Sequence, residues 1–338
     1  MLDQRSVVAM LKAVAEPTRL RLLMLLASGE LNVKDLTRIL GQSQPRISRH
    51  LKLMAEAGLI ERIADGSWAY FQIVDRGAHG ALVRGLIDAV DPADPALLRD
   101  SKRAETVKRE REAAAQDYFR DHVAEWDRIR SLHVTESEVE AALKAALGPG
   151  PFRLLVDLGT GTGRMLELLA DRYERAIGFD INHSMLAYAR GKLDQAGLTH
   201  ASLRHGDLYD VALGDGAADA VIMHQVLHFL AEPQLALREA CRVLAPGGRL
   251  VIVDFAPHKM EFLREDFAHE RLGFARVQIT EWLDEAGLDE VTAVDLEAAG
   301  PDGDGKLTVT VWTARKVITI AKPVARDSAG LQRRKEEV

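Results

Sequence analysis

The first seventy-five residues change their apolar period partway along. Ser6–Ala15 sets Val7, Val8, Leu11 and Val14 at helical spacing, and a second helix follows over Arg19–Ala27 with Pro17 as its first residue. Ser28-Gly29 stops it. A short helix is predicted over Val33–Leu40, closed by Gly41, and another over Pro45–Ala57, capped by Ser43 or Gln44 and ended by Gly58. The period then shortens: Leu59–Ala64 and Trp68–Val74 read as strands joined by the turn Asp65-Gly66-Ser67.

Beyond residue 75 one apolar helix covers Ala81–Val90, followed by the break Asp91-Pro92-Ala93-Asp94-Pro95. Lys102–Ala115 is helical in pattern but poor in apolar residues, as expected of a solvated helix bridging two domains. Tyr118, Phe119, Val123 and Trp126 then form an apolar stripe, and Gly148-Pro149-Gly150-Pro151 marks the entry to a new unit.

From residue 152 strands and helices alternate. The predicted strands are Leu154–Leu158, Ala176–Phe179, Ser202–His205, Ala220–Met223, Arg249–Asp254, Val291–Leu296 and Leu307–Thr313. The predicted helices are Arg164–Arg172, Ser184–Ala196, Pro233–Leu244 and Ile279–Ala286. Such alternation implies an α/β unit, a mostly parallel sheet with helices on both faces. Lys322–Val338 is polar, of mixed charge, and reads as disordered.

Composition narrows the class. The 338 residues are 47% apolar and 28% charged, ordinary for a globular protein of two or three domains. No apolar run is long enough to span a bilayer and the first residues lack a signal-peptide layout, so a cytoplasmic chain with no membrane partner is expected. Cys241 is the single cysteine, which rules out an internal disulfide and any cysteine-cluster metal site. The net charge of −7 divides unevenly: residues 1–75 sum to +2 and the remainder to −9. A mildly basic module therefore sits on an acidic body, and the local field is what a phosphate backbone meets.

Two helices around a tight turn have helix-turn-helix dimensions. The second puts Ile47, Leu51 and Met54 on one apolar face and leaves Ser43, Gln44, Arg46, Ser48, Arg49 and Lys52 to face outward. Arg and Gln can read base edges while Ser and Lys hold phosphates. The hairpin tip, with Arg62 and Ser67, is the expected wing. Residues 8–73 resemble an ArsR-type winged-helix regulator, on the strength of Leu11–Leu23, Ser43–Leu53 and Gly58-Leu59-Ile60. The resemblance implies a homodimer on double-stranded operator DNA. The apolar helix Ala81–Val90 is the candidate interface, with packing into the core as its alternative. Many relatives sense soft metals through thiols before the turn. Here Leu31-Asn32-Val33-Lys34-Asp35-Leu36 offers none, and His50, His79, Asp75 and Asp88 match no strong spacing, so no metal is expected.

Val156-Asp157-Leu158-Gly159-Thr160-Gly161-Thr162-Gly163-Arg164 ends a strand and opens a helix, where glycines allow a sharp turn and close approach of a ligand. Asp157 can organise the loop or hold an ammonium, Asp180 can bridge a ribose diol, and Asp207 can accept from an adenine amino group. No Walker lysine follows the glycines, which argues against a P-loop. With Val221–Phe229 and Arg242–Leu250, the segment from about 115 to 315 resembles a class I S-adenosylmethionine-dependent methyltransferase of Rossmann-like fold, close to the ubiquinone and menaquinone enzymes. That likeness implies S-adenosylmethionine or S-adenosylhomocysteine at Asp157, Gly159, Thr160, Gly161, Gly163, Asp180 and Asp207, with Ile181, Leu208 and His224 packing around it and Tyr118 and Trp126 in a lid.

The expected organisation is multidomain: an α+β winged helix-turn-helix over 1–75, a helical dimerisation or linker region over 76–115, the methyltransferase-like unit over 116–318 and a disordered tail over 319–338. Two functions stay open. One is a regulator that senses the cofactor or its demethylated product. The other is a working methyltransferase on a small-molecule acceptor, with a winged helix that autoregulates or dimerises. His224 and His228 sit at a strand end suited to a general base, but the favoured reading is that His224 contacts the methionine part and His228 packs. Motifs of DNA-base methyltransferases are missing from residues 223–229.

Overall fold

The computed structural model describes residues 1–65, 68–122, 136–296 and 307–317. The N-terminal unit runs α1 (Gln4–Val14), α2 (Pro17–Ala27), β1 (Leu31–Asn32), α3 (Val33–Leu40), α4 (Gln44–Glu56), β2 (Ile60–Asp65) and β3 (Trp68–Ile73). Local chemistry sets its helix ends. Asp3, Glu16 and Asn32 accept from the first-turn amides of α1, α2 and α3, and Pro17 opens α2. Gly41, at φ 63°, closes α3 and returns its amide to Thr37 O, a left-handed residue that glycine adopts without steric cost. Ser43 precedes α4 as expected, but its side chain makes no capping bond.

One core holds this unit together, with Met10, Leu22, Leu26, Leu36, Ile39, Ile47, Leu51 and Met54 packed as a group. The hairpin pairs β2 with β3, and the unexpected two-residue β1 pairs with β3 on the other side, Leu31 opposite Phe71. Two residues between two helices are too few to show a strand period, so only tertiary pairing could reveal β1.

Helix α5 (Gly77–Asp88) leads to α6 (Pro95–His122), about 42 Å long at the usual rise. The described residues of Lys102–Glu110 are mostly exposed, as expected of a bridging helix, but α6 is also anchored on the N-terminal unit. Val107 is buried in the N-terminal core, and Asp100, 1% exposed, accepts two bonds from Arg21 at 2.6 and 2.7 Å. A single valine and an ion pair escape a pattern search that looks for an apolar stripe. The tail 319–338 and Trp126 lie outside the described residues.

The C-terminal unit comprises α7 (Glu136–Leu147), β4 (Phe152–Leu158), α8 (Arg164–Leu168), β5 (Tyr173–Asp180), α9 (His183–Gln195), β6 (Ala201–His205), β7 (Ala218–His224), α10 (Pro233–Val243), β8 (Leu244–Phe255), α11 (Phe262–Asp266), α12 (Arg276–Glu285), β9 (Leu288–Leu296) and β10 (Val309–Lys316). Its seven-stranded sheet has the order β6-β5-β4-β7-β8-β10-β9, with β10 antiparallel to both neighbours and the other six strands running in one direction. The central strands are apolar on both sides. Val156, Val221 and Ile252 face one core, and Leu155, Ile222 and Val251 face the other. Both faces are therefore covered, as a parallel sheet requires.

Two boundaries differ from expectation. Helix α8 stops at Leu168, four residues early, because Arg172 already offers its carbonyl to Phe152 N at 2.7 Å and must lie extended at the sheet. Strand β8 starts at Leu244: both Leu244 and Arg249 pair with β7, and residues 245–248 bulge out between them.

Candidate cofactor and nucleic-acid sites

The parallel sheet opens at the carboxyl ends of β4 and β7, where the strand order reverses and ligands are usually held, with β5 alongside β4. Gly159 and Thr160 both donate to Phe179 O at 2.9 Å, folding the glycine turn over the end of β5. Gly159 (φ 78°) lies so close to the next strand loop that a Cβ would stand 2.4 Å from Val226 Cγ2. Glycine is thus required there both for conformation and for space.

Asp180 meets this turn from the other side. Its two oxygens accept from Gly161 N and Asn182 N, each at 2.8 Å. Burial pushes its carboxyl above the ordinary aspartate value, and the backbone amides oppose that push. Asp157, 1% exposed, accepts from Thr160 Oγ1 at 2.6 Å and so stiffens the loop.

One cavity gathers Asp157, Gly159, Thr160, Gly161, Asp180, Ile181, Asp207, Leu208 and His224, nine of the ten positions expected from the sequence. Gly163 is the exception. A Cβ there would sit 3.2 Å from Ala189 Cβ, so this glycine lets α8 approach α9 and does not reach the cavity. Ile181, expected to pack, is 44% exposed at the rim. The sequence reading missed Thr162, Met165, Met185 and Tyr209, and did not single out Phe119, Gln225, Val226, Phe229, Leu230 and Ala231 as lining residues. Most of these are apolar and carry no chemical signature that would separate them from core.

Of the two histidines, His224 lines the cavity and His228 does not. The His228 ring is 2% exposed, its Nδ1 lies 2.8 Å from Asp254 Oδ1, and it packs on Phe229, Phe255 and His269. Phe119 reaches the cavity from the far end of α6 and meets Phe229 edge-on at 4.8 Å. The neighbouring Tyr118 was the expected lid residue; its side chain, like Trp126, lies outside the described residues.

The donors and spaces fit S-adenosylmethionine. A partly buried carboxylate faces the cavity at the end of the second strand, a second carboxylate stands at the end of the third, and the glycine turn leaves no side chain over the floor. The remaining walls are largely apolar, as suits an adenine ring and a thioether chain.

On the N-terminal unit, Ile47, Leu51 and Met54 of α4 are buried while Ser43, Gln44, Arg46, Ser48, Arg49 and Lys52 are exposed in the whole chain. The C-terminal unit therefore leaves this face open. Arg46 and Arg49 make no ion pair among the described residues, and Lys52 pairs only with Glu56 one turn on, at 3.8 Å. Arg62 is exposed on β2, and Ser67 lies outside the described residues. Among those described, no group of metal-ligating side chains forms, and no helix is long and apolar enough to cross a membrane.

Comparison with known proteins agrees with both halves. Residues 16–62 match the family model of bacterial regulatory proteins of the arsR family, and residues 156–252 match that of the methyltransferase domain. Demethylmenaquinone methyltransferase of Thermus thermophilus is 42% identical over 118 residues, 34% of this chain and 53% of that one. Arsenite methyltransferase of Aquipseudomonas alcaligenes is 34% identical over 124 residues, 33% of this chain and 36% of the relative. This chain thus spans about half or less of the length of these two relatives. A chain from the complex of the Haloferax volcanii Trm112 methyltransferase activator with a methyltransferase shares the fold, with a TM-score of 0.50 at 21% identity over 59% of this chain and 97% of that one.

Proposed function

Because the chain joins an arsR-family DNA-binding domain to a methyltransferase domain, we propose that it is a transcriptional regulator whose affinity for operator DNA responds to S-adenosylmethionine or S-adenosylhomocysteine. The observation that carries this reading is the course of α6. The helix starts in the N-terminal core, through Asp100 on Arg21 and Val107, and ends by placing Phe119 against Phe229 in the cofactor cavity. A ligand that moves Phe119 therefore acts on an element the DNA-binding unit also holds. Linkage needs no more than that the ligand prefer one of two arrangements.

In this reading Asp180 holds the ribose hydroxyls, Asp207 the adenine edge, and Asp157 and the glycine turn the methionine part. The protein acts as a homodimer in the cytoplasm, since one winged helix covers too little DNA for tight specific binding. Gln44, Arg46 and Arg49 contact base edges, while Ser43, Ser48, Lys52, Arg62 and Ser67 hold the backbone.

The second reading, a small-molecule methyltransferase, is favoured by the likeness to demethylmenaquinone methyltransferase and by His224 at the cavity wall. The cofactor would supply an electrophilic methyl group. His224 would take a proton from an acceptor hydroxyl, and the apolar walls would exclude water. An arsenic acceptor fits poorly, despite the arsenite methyltransferase relative. That chemistry wants several thiols, and Cys241 alone is present, buried with its thiol 2.8 Å from Ala286 O and its pKa raised by burial.

The test is fluorescence anisotropy on DNA from the gene's own upstream region, with each ligand titrated. A shift of about fivefold or more in DNA affinity, ~1 kcal/mol of coupling, is expected. Tight DNA binding indifferent to both ligands would overturn the sensor, and turnover with a quinol or phenol acceptor would then establish the enzyme.

A further inference from the structure

Resting on the sensor reading above, we propose that Arg271 is the residue that carries the state of the cofactor cavity to the wing. The cavity wall between β7 and α10 is the loop 225–231, which contributes Gln225, Val226, Phe229, Leu230 and Ala231. It holds one 3-10 turn over Leu227–Phe229, entered through Gln225 at φ 50°, a left-handed conformation uncommon for a side-chain-bearing residue. What holds it from behind is the segment around Arg271. The amides of Glu270 and Arg271 both donate to His228 O, at 2.9 and 3.0 Å, and the Arg271 guanidinium donates to Ala231 O at 3.3 Å.

The same guanidinium faces the N-terminal unit. Its Nη2 lies 2.7 Å from Glu30 Oε2, and its central carbon stands 3.7 Å from the centre of the Tyr70 ring. Tyr70 in turn donates to Glu270 Oε1 at 2.6 Å. Arg271 and Tyr70 are 2% and 1% exposed. Glu30 immediately precedes β1 and Tyr70 lies in β3, so both belong to the three-stranded sheet that carries the wing or to its edge.

One planar cation thus touches two units at once, and a shift of the loop at Ala231 or His228 is transmitted to Arg271, which lies against Glu30 and Tyr70. Arginine is suited to this by its several donors in one plane and a flat face that stacks on an aromatic ring; lysine keeps the charge and loses both properties. None of Arg271, Glu30 or Tyr70 lines the cofactor cavity or the recognition face, so their loss should spare each binding site taken singly.

The experiment uses the full chain and its Arg271→Lys and Tyr70→Phe variants. Anisotropy on the upstream DNA gives the ratio of affinities with and without S-adenosylhomocysteine. Hydrogen exchange of the amides of residues 68–73 reports the wing's response to the same ligand without DNA. The expected result is a wild-type ratio of about five or more, falling to within about twofold of unity in Arg271→Lys, with DNA and ligand affinities each kept within about threefold. The wing should gain protection on ligand addition in the wild type and not in Arg271→Lys. Tyr70→Phe should reduce the ratio part of the way, and it carries the test if the lysine variant does not fold. A wild-type ratio and wing response both retained in the variants would overturn the relay and leave the sensor standing. A wing response that depends on Arg271, without any effect on DNA affinity, would sustain the relay and sink the sensor. No ligand response in DNA affinity or wing exchange would sink both.

Discussion

Asp180 shows how much one position carries. Its carboxylate closes the glycine turn through Gly161 and faces the cavity, against the desolvation that raises its pKa. Asp180→Ala should abolish measurable S-adenosylhomocysteine binding by calorimetry while the DNA affinity of the ligand-free protein stays within about threefold. Affinity for the ligand that survives would remove Asp180 from the site. Glu239 illustrates a structural carboxylate. It bonds the Arg242 guanidinium and accepts from Val211 N at 2.7 Å, and Arg242 holds its pKa below the ordinary glutamate value, against a smaller opposing push from burial. A depressed folded-state pKa contributes stability that is present above the unfolded pKa and lost as pH falls through the folded one. Glu239→Gln should therefore cost roughly 1.5–3 kcal/mol near neutral pH, the range for a hydrogen bond to a charged group. The gap from wild type should narrow in thermal melts taken below the ordinary glutamate range; a gap independent of pH would contradict the role of its charge.

Among the elements, α6 matters most, since it is packed in the N-terminal core at Val107 and reaches the cofactor cavity at Phe119. Rotation along a helix is about 100° per residue, so one alanine inserted after Glu110 would turn Phe119 away from Phe229 while leaving Asp100 and Val107 in place. The insertion should weaken S-adenosylhomocysteine binding about tenfold and raise by the same factor the ligand concentration that shifts DNA affinity, with DNA affinity itself kept within about threefold. Paired calorimetry and anisotropy check this, and an unchanged ligand affinity would show that Phe119 takes no part in the cavity. The sequence pattern revealed this helix but not its attachments. An alternation search registers stripes of apolar residues, whereas α6 is anchored by a buried ion pair, one valine and a terminal phenylalanine.

At the scale of the whole molecule, an acidic body is joined to a module of slight positive charge. Light scattering on the purified chain should give twice the 37.2 kDa of one copy, and a monomer at operator-binding concentrations would contradict the homodimer. The two units meet at Arg271 and also where Arg76 of the N-terminal part pairs with Glu281 and Glu285 of α12. Partners about two hundred residues apart leave no mark in local pattern, because an arginine destined for a seam reads like any surface arginine.

The sequence by itself determined the two folds, the turn chemistry and most of the polar cavity residues. Helical spacing, glycine turns and carboxylates at strand ends are local demands, and a chain can meet them only with particular residue types at fixed offsets. Tertiary structure alone decided which histidine faces the cavity, that Gly163 serves helix packing, that β1 exists, and which apolar side chains line the walls. Those outcomes depend on which residues distant in the chain come to lie against one another. His224 and His228 are four residues apart and chemically identical, and the position of Asp254 near the end of the next strand holds one against a carboxylate while the other lines the cavity.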